Sequence, residues 1–307
     1  MSEVTTDPRR AAAVIAAGGV VAIPTETVYG LAADAENEPA VRRVFEIKGR
    51  PSDHPLIVHL ARAEQVHDGW VAAFPENAAL LAETCWPGPL TLLVPAGPRV
   101  RPWVTGGRTT VGIRVPAHPL ATALLETFGG GVAAPSANRF GRVSPTSAAH
   151  VAADLGDDVD LILDGGECPV GVESTIVDCT VSPAQVLRPG AITEEQIGAL
   201  LGSVAAASGP SRAAGMLASH YAPRCSVILV DEHAEAEATV QQLAAQGHAV
   251  AILDAKTDPV TAARTLYASL RTADERGMQY LIAVLPPAAG IGHALRDRLT
   301  KAAAPRS

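Results

Sequence analysis

Short apolar runs alternate with helical patterns along the first part of the chain. Runs of the kind that predict buried strands occupy residues 20–23, 56–60, 90–95, 109–116, 131–135, 161–164 and 175–180. Between several of them, apolar residues recur at the spacing of an amphipathic helix, near residues 61–69, 75–85, 118–128 and 146–155. Strands and helices mixed in this way predict an α/β fold with an open, twisted, mixed sheet.

Capping residues mark where the first two helices begin. Asp7 followed by Pro8 has the pattern of an N-cap before the first helical position. Asn37 opens a second helix, with apolar residues at helical spacing, and Gly49 closes it. These local signals predict both helices independently of the rest of the fold.

The pattern changes after a helix predicted over residues 193–202. Residues 203–215 are rich in Ala, Ser and Gly, as in a linker. Beyond them, continuous apolar strands alternate with helices, which predicts a small parallel, Rossmann-like sheet. The strands fall at 226–231, 249–254 and 280–286, and the helices at 233–246, 258–275 and 291–303. The predicted organisation is a domain at 1–202, a linker at 203–224 and a C-terminal α/β domain at 225–307.

Composition and cysteine spacing are typical of a soluble globular protein with reduced thiols. Of the 307 residues, 48% are hydrophobic and 18% charged, as in globular proteins. No run of 18 apolar residues occurs, and the first residues lack an export signal, so we expect a cytoplasmic protein. The four cysteines lack zinc-site spacing, which favours reduced core thiols: Cys85, Cys168, Cys179 and Cys225.

Charge is negative overall but uneven along the chain. A net charge of −8 argues against broad coating of nucleic acid. Residues 99–142 nevertheless carry six arginines against the single acid Glu126. This excess predicts a local basic surface, better suited to a small polyanion such as a nucleotide than to a long duplex. The arginines are Arg99, Arg101, Arg108, Arg114, Arg139 and Arg142.

Polar residues repeatedly fall at the ends of predicted strands. The six segments are "PTETVYGL" (24–31), "KGRPSDHPLIVH" (48–59), "TTVGIRVPAH" (109–118), "APSANRFGRVSPT" (134–146), "GVESTIVD" (171–178) and "VLRPGAI" (186–192). Open α/β sheets bind ligands at such edges. The segments contain hydroxyls and cations but no nucleophile beside a base, and the chain lacks the common nucleotide motifs. Such a site would bind anions and position reactants.

Each segment also has a structural interpretation. Thr25 or Thr27 could cap a helix after the first strand. Arg114, within an apolar strand, needs a buried carboxylate from either the protein or a ligand. Lys48 and Arg50 could clamp a phosphate or form a solvated helix end. The small hydroxyls of 134–146 also suit turns, so the residue pattern leaves these alternatives open.

Together these segments resemble the threonylcarbamoyl-AMP synthase family, whose catalytic part is a YrdC-type domain. The resemblance spans about residues 10–193, and the tail resembles the longer, two-domain members. It rests on "PTETVYGL", "KGRPSDHPLIVH", "WPGPLTLL", "VGIRVPAHP", "APSANRFGRVSPT", "DGGECPVGVESTI" and "LRPG", in this order, and on "GMLASHYAPR" after them.

The resemblance implies a two-part reaction. The amine of L-threonine takes up bicarbonate, and the resulting carboxylate attacks the α-phosphate of ATP. The expected cofactor is Mg²⁺, bound with ATP. The products are threonylcarbamoyl-AMP and pyrophosphate, and a partner transferase passes the threonylcarbamoyl group to tRNA. A weak contact with tRNA is compatible with this role.

The resemblance also implies roles for individual residues. The threonine pocket would consist of Thr27, His59, Arg114, the backbone at Ala134, and Ser174. ATP would bind to Lys48, Arg50, His54, Thr110, Ser136, Asn138, Ser144, Arg188 and Tyr221. The catalytic residues would be Lys48, Arg50 and Arg114, and His59 is a candidate general base. We expect no residue to bind a metal.

Two residues depart from the family pattern. Ala214 stands where proline is usual, and His54 where asparagine is frequent. We expect the linker to fold over the active site and the C-terminal domain to gate it.

Two rival functions stand beside this one. The first rival is a structured-RNA-binding protein that catalyses no reaction. The second is an enzyme acting on carbamoyl phosphate, which usually carries zinc-finger or acylphosphatase modules that have no counterpart here.

Overall fold

Two separate sheets organise the chain. The computed structural model describes residues 2–208, 213 and 221–305. Within them, eleven strands form one large mixed sheet and three form a small parallel sheet. The predicted α/β architecture is therefore confirmed. None of the described helices is both long and apolar enough to cross a membrane.

The large sheet contains both parallel and antiparallel neighbours, in the order β1-β8-β2-β3-β7-β4-β6-β5-β9-β10-β11. Its strands are β1 (Glu3–Thr5), β2 (Val21–Ile23), β3 (Gly30–Asp34), β4 (Ile57–His59), β5 (Leu90–Pro95), β6 (Thr110–Arg114), β7 (Val132–Ala133), β8 (Leu161–Leu163), β9 (Thr175–Asp178), β10 (Gln185–Arg188) and β11 (Ala205–Ala206). Its helices are α1 (Pro8–Ala16), α2 (Glu38–Lys48), α3 (Glu76–Cys85), α4 (Pro102–Thr105), α5 (Pro119–Phe128), α6 (Ala148–Leu155) and α7 (Glu194–Leu201).

The caps expected from the sequence form as predicted. Asp7 accepts a hydrogen bond from the backbone N–H of Arg9 at 2.9 Å, with Pro8 in the first helical position of α1. The Asn37 side chain accepts from the N–H of Ala40 at the start of α2. Gly49 ends that helix in the left-handed conformation, with a φ of 62°, which L-residues with a Cβ rarely adopt.

Strand register brings the polar strand ends together. His59 on β4 lies directly opposite Arg114 on the parallel strand β6. On the other side of β6, Arg114 pairs with Thr91 of β5. Strand β9 continues the sheet beyond β5, with Leu90 opposite Thr175. Residues far apart in sequence therefore share one edge of the sheet.

Several local elements differ from those predicted. Residues 24–29 connect two antiparallel strands, because Ile23 of β2 pairs with Gly30 of β3. The interpretation of Thr25 as a helix cap is therefore wrong, and its hydroxyl instead bonds to the N–H and C=O of Val28 within the turn. Residues 61–69 form only a short 3₁₀ helix at Ala63–His67. The short edge strand β1 was not predicted, since its residues are mostly exposed and carry no apolar pattern.

The second sheet has the predicted parallel arrangement, in the order β12-β14-β13. Its elements are β12 (Ser226–Val230), α8 (His233–Ala245), β13 (Val250–Asp254), α9 (Pro259–Glu275), β14 (Tyr280–Val284) and α10 (Gly292–Ala303). Residues of α8 pack on one face. On the other face, α9 and α10 share a core with Val28, Val143 and Val172 from the large-sheet part of the chain. This shared core joins the two parts.

Candidate active site

A small cavity of about 50 Å³ lies where the strand ends of the large sheet converge. Cationic and hydroxyl side chains from distant segments line it together with backbone. The lining residues are Thr27, Val28, Arg50, Ile57, His59, Arg114, Ala134, Pro135, Ser136, Glu173, Ser174, Arg188 and Tyr221. The cavity therefore brings together residues from all six polar segments, and Tyr221 adds to them.

Arg114 is held by a carboxylate of the protein. Its Nη2 donates to Glu26 Oε1 at 2.7 Å, and its Nε donates to the carbonyl of Gly88 at 3.3 Å. The second oxygen of Glu26 accepts the N–H of Ala117 at 3.0 Å. Both charged side chains are buried, so the carboxylate offsets the desolvation of the guanidinium. Arg114 Nη1 has no acceptor within the described part of the chain and remains available to a ligand.

His59 lies beside Arg114 as a neutral imidazole. Burial, with a smaller contribution from the charge of Arg114, lowers the pKa of His59 to about 3. A group with this pKa is uncharged at neutral pH but is a poor proton acceptor. A pKa this low does not favour His59 as the general base, and that role stays a prediction. A neutral ring can still hydrogen-bond to a ligand.

Ser174 and Arg188 form a second buried cluster. The Arg188 guanidinium donates to the Ser174 carbonyl through Nε at 3.0 Å and Nη2 at 2.8 Å, and to Ser174 Oγ at 3.0 Å. Ser174 Oγ also shares a hydrogen bond of 2.7 Å with the hydroxyl of Thr91. Burial lowers the pKa of Arg188, although an arginine remains charged at neutral pH. These contacts fix a positive charge in the cavity wall.

Glu173 links the cavity to the second sheet. It accepts from Ser144 Oγ at 2.6 Å, from Tyr267 Oη at 2.7 Å, and from Arg298 Nε at 2.9 Å. Burial alone would raise the pKa of Glu173, but the charges of Arg298 and Arg188 outweigh it and hold the pKa at about 2. The carboxylate therefore stays ionised at neutral pH.

The loop at 134–146 is anchored by Lys48. Its Nζ donates to the carbonyls of Ser136 at 2.5 Å and Asn138 at 2.6 Å. The Asn138 amide nitrogen donates to the carbonyls of Arg139 and Arg142, each at 2.8 Å. Asn138 Oδ1 is buried with no partner among residues 2–208, 213 and 221–305. Lys48 thus holds the loop that carries Ser136, and does not line the cavity itself.

Arg50 presents a guanidinium with spare donors. Its Nη2 donates to the Pro55 carbonyl at 3.1 Å, and it lies over the Phe140 ring at 5.8 Å. The buried Nε has no acceptor in the described segments. Burial lowers the pKa of Arg50 to about 10, which still leaves it charged at neutral pH. His54 packs edge-on against the same Phe140 ring, outside the cavity lining.

The predicted site residues lie in the cavity lining, directly behind it, or away from it. Those that line the cavity are Thr27, Arg50, His59, Arg114, Ala134, Ser136, Ser174, Arg188 and Tyr221. Those directly behind the lining are Lys48, Asn138 and Ser144. Thr110 lies at the opposite end of β6 from Arg114, roughly 13 Å away along the strand. His54 lies outside the cavity lining, against the Phe140 ring.

Four functional contacts were missed from the sequence. Glu26 and Glu173 were quoted within polar segments but given no role. Tyr267 and Arg298 lie in the C-terminal part, whose sequence carries none of the polar strand-end segments. Arg298 has a relative exposure of 0%. A charged residue on the buried face of the predicted last helix is the signal that could have revealed it.

Three of the six arginines of 99–142 are paired with acids from other segments. Arg99 pairs with Glu36, Arg114 with Glu26, and Arg139 with Asp158. Arg108 instead donates to backbone carbonyls, among them that of Asp53. Acids from other parts of the chain therefore neutralise much of the local excess, which a count along the sequence could not reveal.

The four cysteines are free thiols, and three of them, Cys168, Cys179 and Cys225, are buried. Within the described residues, no group of three or more His, Cys, Asp or Glu side chains could hold a metal ion. The two carboxylates closest to the cavity, Glu26 and Glu173, are both committed to arginines.

Only part of the predicted linker is described. Ala213 is buried near Leu93, Ile176 and Leu187. Tyr221 lines the cavity and has a φ of 62°. Residues 209–212 and 214–220 lie outside the described residues, including Ala214, where the sequence departs from the family pattern. Folding of this segment over the site stays a prediction.

Comparisons with known proteins match the whole chain. A family described as "Telomere recombination" (Sua5, YciO and YrdC) matches residues 13–190, and the "Threonylcarbamoyl-AMP synthase, C-terminal domain" matches residues 192–304. The threonylcarbamoyl-AMP synthase of Bacillus subtilis is 42% identical, over 98% of this chain and 95% of its own length. That of Pyrococcus abyssi is 41% identical, over 96% and 93% respectively.

Solved structures agree with the sequence relatives. The crystal structure of P. abyssi Sua5 complexed with L-threonine has a TM-score of 0.94 and 38% identity, covering 99% of this chain and 97% of that one. Escherichia coli YciO has a TM-score of 0.53 and 24% identity, covering 62% of this chain and 96% of its own, and shares the fold of the first part. The fold and site define a two-part enzyme with a YrdC-type domain. The chain belongs to the threonylcarbamoyl-AMP synthase family.

Proposed function

We propose that this protein is an L-threonylcarbamoyladenylate synthase, a nucleotidyltransferase that makes threonylcarbamoyl-AMP and pyrophosphate from L-threonine, bicarbonate and ATP. The observation that carries the proposal is the buried cavity in which Arg114, Arg50 and Arg188 converge. Fixed cations of this kind suit the carboxylate of an amino acid beside a polyphosphate. The relative complexed with L-threonine has the same overall fold, which supports this assignment.

In the proposed first step, threonine binds with its carboxylate at Arg114. The pairing with Glu26 fixes the guanidinium, so that Nη1 can donate to the ligand without rearrangement. Thr27, the neutral His59 and Ser174 surround the rest of the amino acid. The amine nitrogen then forms a bond to the carbon of bicarbonate, water is lost, and N-carboxythreonine results.

In the proposed second step, a carboxylate oxygen of N-carboxythreonine attacks the α-phosphorus of ATP. The bond from that phosphorus to the bridging oxygen of the β-phosphate breaks, and pyrophosphate leaves. Arg50, with its spare Nε donor, and Arg188 stabilise the negative charge that develops on the phosphates. Asn138 Oδ1, Ser136 and Ser144 lie where they can position the nucleotide.

Mg²⁺ enters this proposal as part of the MgATP substrate. The described residues offer no carboxylate cluster for a resident metal, since Glu26 and Glu173 are each paired with an arginine. The protein's own contribution to neutralising the triphosphate is therefore made by its arginines, and Lys48 supports the loop beside them.

The product is a mixed anhydride, so a transferase acting on tRNA must consume it before it hydrolyses. We place the reaction in the cytoplasm, and a weak contact of this protein with tRNA remains part of the proposal. The rival RNA-binding function loses its main support because Arg99, Arg114 and Arg139 are paired with acids.

Pyrophosphate release tests the proposal. The purified full chain is incubated with ATP and Mg²⁺, and threonine and bicarbonate are omitted in turn. Release that requires both substrates supports adenylate synthesis, and mass spectrometry should detect threonylcarbamoyl-AMP. Release without either substrate, or none in the complete mixture, contradicts it.

A further inference from the structure

Arg298 lies on α10 of the second sheet but is buried against the wall of the cavity. Its side chain has relative exposure of 0%. A guanidinium is rarely removed from water so completely unless specific partners compensate. What Arg298 contacts therefore indicates what the second sheet contributes to the site.

Three segments around the cavity meet at this one guanidinium. Nε donates to Glu173 at 2.9 Å, just before β9. Nη1 donates to the carbonyl of Pro189 at 2.8 Å, the residue after Arg188. The guanidinium carbon also lies 5.4 Å from the centre of the Tyr221 ring, in a cation–π contact.

Each of these segments carries a group that the proposed reaction uses. Glu173 accepts from Ser144, so the position of that hydroxyl depends on the carboxylate. Pro189 directly follows Arg188, whose guanidinium is fixed on Ser174. Tyr267 of α9 donates to the same Glu173 oxygen as Arg298, at 2.7 Å, and its ring packs on Tyr221 at 5.6 Å. The second sheet thus supplies two donors to one carboxylate of the cavity.

The charge of Glu173 depends on Arg298. The charged and titratable groups that interact with Glu173 are Arg298, Arg188, Lys48, Tyr221 and Tyr267. Without the positive charge of Arg298, burial would favour the protonated form and raise the pKa of Glu173. A protonated Glu173 would carry its own donor and would no longer accept from all three of its present partners.

We propose that Arg298 is a positioning residue for the reaction: it holds Glu173 and the Pro189 turn, and thereby places Ser144 and Arg188 for the nucleotide. This inference rests on the proposed function. Arg298 touches no substrate in this role. A misplacement of about 1 Å at such groups can lower turnover about 100-fold.

The test compares four variants of the full chain with the wild type. Arg298→Met removes the charge and keeps the length of the stem, whereas Arg298→Lys keeps a charge but cannot reach both Glu173 and Pro189. Arg298→Met/Glu173→Gln removes both charges of the pair. Arg296→Met is the matched control, because Arg296 lies on the same helix but bonds to Asp231 and Pro286 within its own part.

We expect kcat for pyrophosphate release to fall about 100-fold in Arg298→Met and to change less than threefold in Arg296→Met. The acid limb of the pH profile should move to higher pH in Arg298→Met, and return toward its wild-type position in Arg298→Lys and in the double variant. A partly unfolded enzyme would have a lower kcat at every pH, without a shift of the acid limb. Wild-type kcat and pH profile in Arg298→Met would overturn the proposal, as would a shifted limb that persists in the double variant.

Hydrogen exchange separates this inference from the proposed function. If the wild type releases no pyrophosphate, the function is refuted, and exchange alone decides the role of Arg298. Faster exchange at residues 143–146 and 173–176 in Arg298→Met, with no change in Arg296→Met, supports positioning. Unchanged exchange in both variants overturns it.

Discussion

The guanidinium of Arg114 lies 2.7 Å from the carboxylate of Glu26, a residue 88 positions earlier in the chain. Both side chains are almost fully buried. The pair settles an alternative that the sequence left open, because it supplies a protein carboxylate for the buried arginine. It also leaves Nη1 directed by two fixed neighbours, which pre-organises the side chain for an anionic ligand.

Removing the charge of Glu26 should destabilise the fold. Breaking a buried ion pair from one side leaves an uncompensated charge, at a cost of about 3–5 kcal/mol. We therefore expect Glu26→Ala to lower the free energy of unfolding by about this amount in urea denaturation. Glu38→Ala is the control, since its pair with Arg42 is exposed, and such pairs contribute about 0.3–0.5 kcal/mol. Equal effects of the two substitutions would contradict the assigned importance of the buried pair.

Replacing Lys48 should weaken ATP use. Lys48→Met keeps the apolar stem but removes the donor to the carbonyls of Ser136 and Asn138. A buried acceptor without a donor costs about 1–3 kcal/mol, so the loop should shift. We expect kcat/KM for ATP to fall at least about tenfold, with a smaller change for threonine. Steady-state kinetics at varied ATP measures this, with Lys256→Met in the second part as control. An unchanged kcat/KM for ATP would show that this loop does not serve the nucleotide.

Acid should destabilise the protein through His59. The folded-state pKa of His59 is about 3, below its ordinary value of 6.5, so the unfolded chain binds the proton more readily. The associated stability is present above pH 6.5 and is lost progressively as the pH falls toward 3. Between pH 7 and pH 5 the loss should be roughly 2 kcal/mol.

Urea denaturation of the wild type and of His59→Gln at both pH values checks this expectation. Glutamine does not titrate, so the variant should lose less stability than the wild type over the same interval. Because other groups also titrate, the informative quantity is the difference between the two proteins. Parallel loss in both would mean that His59 is not the neutral, buried group that the structure indicates.

Much of the local structure could be predicted from the sequence. Strand β5 was predicted at its observed bounds, and the caps Asp7 and Asn37 form the expected hydrogen bonds. These features depend on apolar runs and on neighbours within a few residues, which a linear pattern records. Nine of the predicted site residues line one cavity. The pattern of strand ends indicated most of their segments, whereas their individual roles were implied by the resemblance to the family.

The remaining features depend on contacts between distant segments. The pairings of Arg114 with Glu26 and of Glu173 with Arg298 cross 88 and 125 positions. Nothing local distinguishes these two acids from others near strand ends. Likewise, the neutralisation of Arg99 by Glu36 appears only when the sheet is assembled. Charge counts along a segment therefore overstate the charge of the folded surface.

The proposed enzyme should prefer threonine over serine only moderately. The two amino acids differ by one methyl group, and a hydrophobic contact of that size contributes about 1–3 kcal/mol. We therefore expect the ratio of kcat/KM values to lie at about 10–200. Competition between the two substrates, with both adenylates quantified by mass spectrometry, measures the ratio. A preference of about 10⁵ would contradict an origin in a single methyl contact.

Because Arg298 follows Glu173 by 125 positions, the order of synthesis matters for when the cavity is completed. Ribosomes add about 5–20 residues per second, so roughly 6–25 s separate the appearance of the two partners. Tyr267, the other donor, follows Glu173 by 94 positions, so Arg298 is the last of the two to be made. A chain that ends before α10 would therefore carry most of the proposed ATP-binding residues without the Arg298 donor to Glu173.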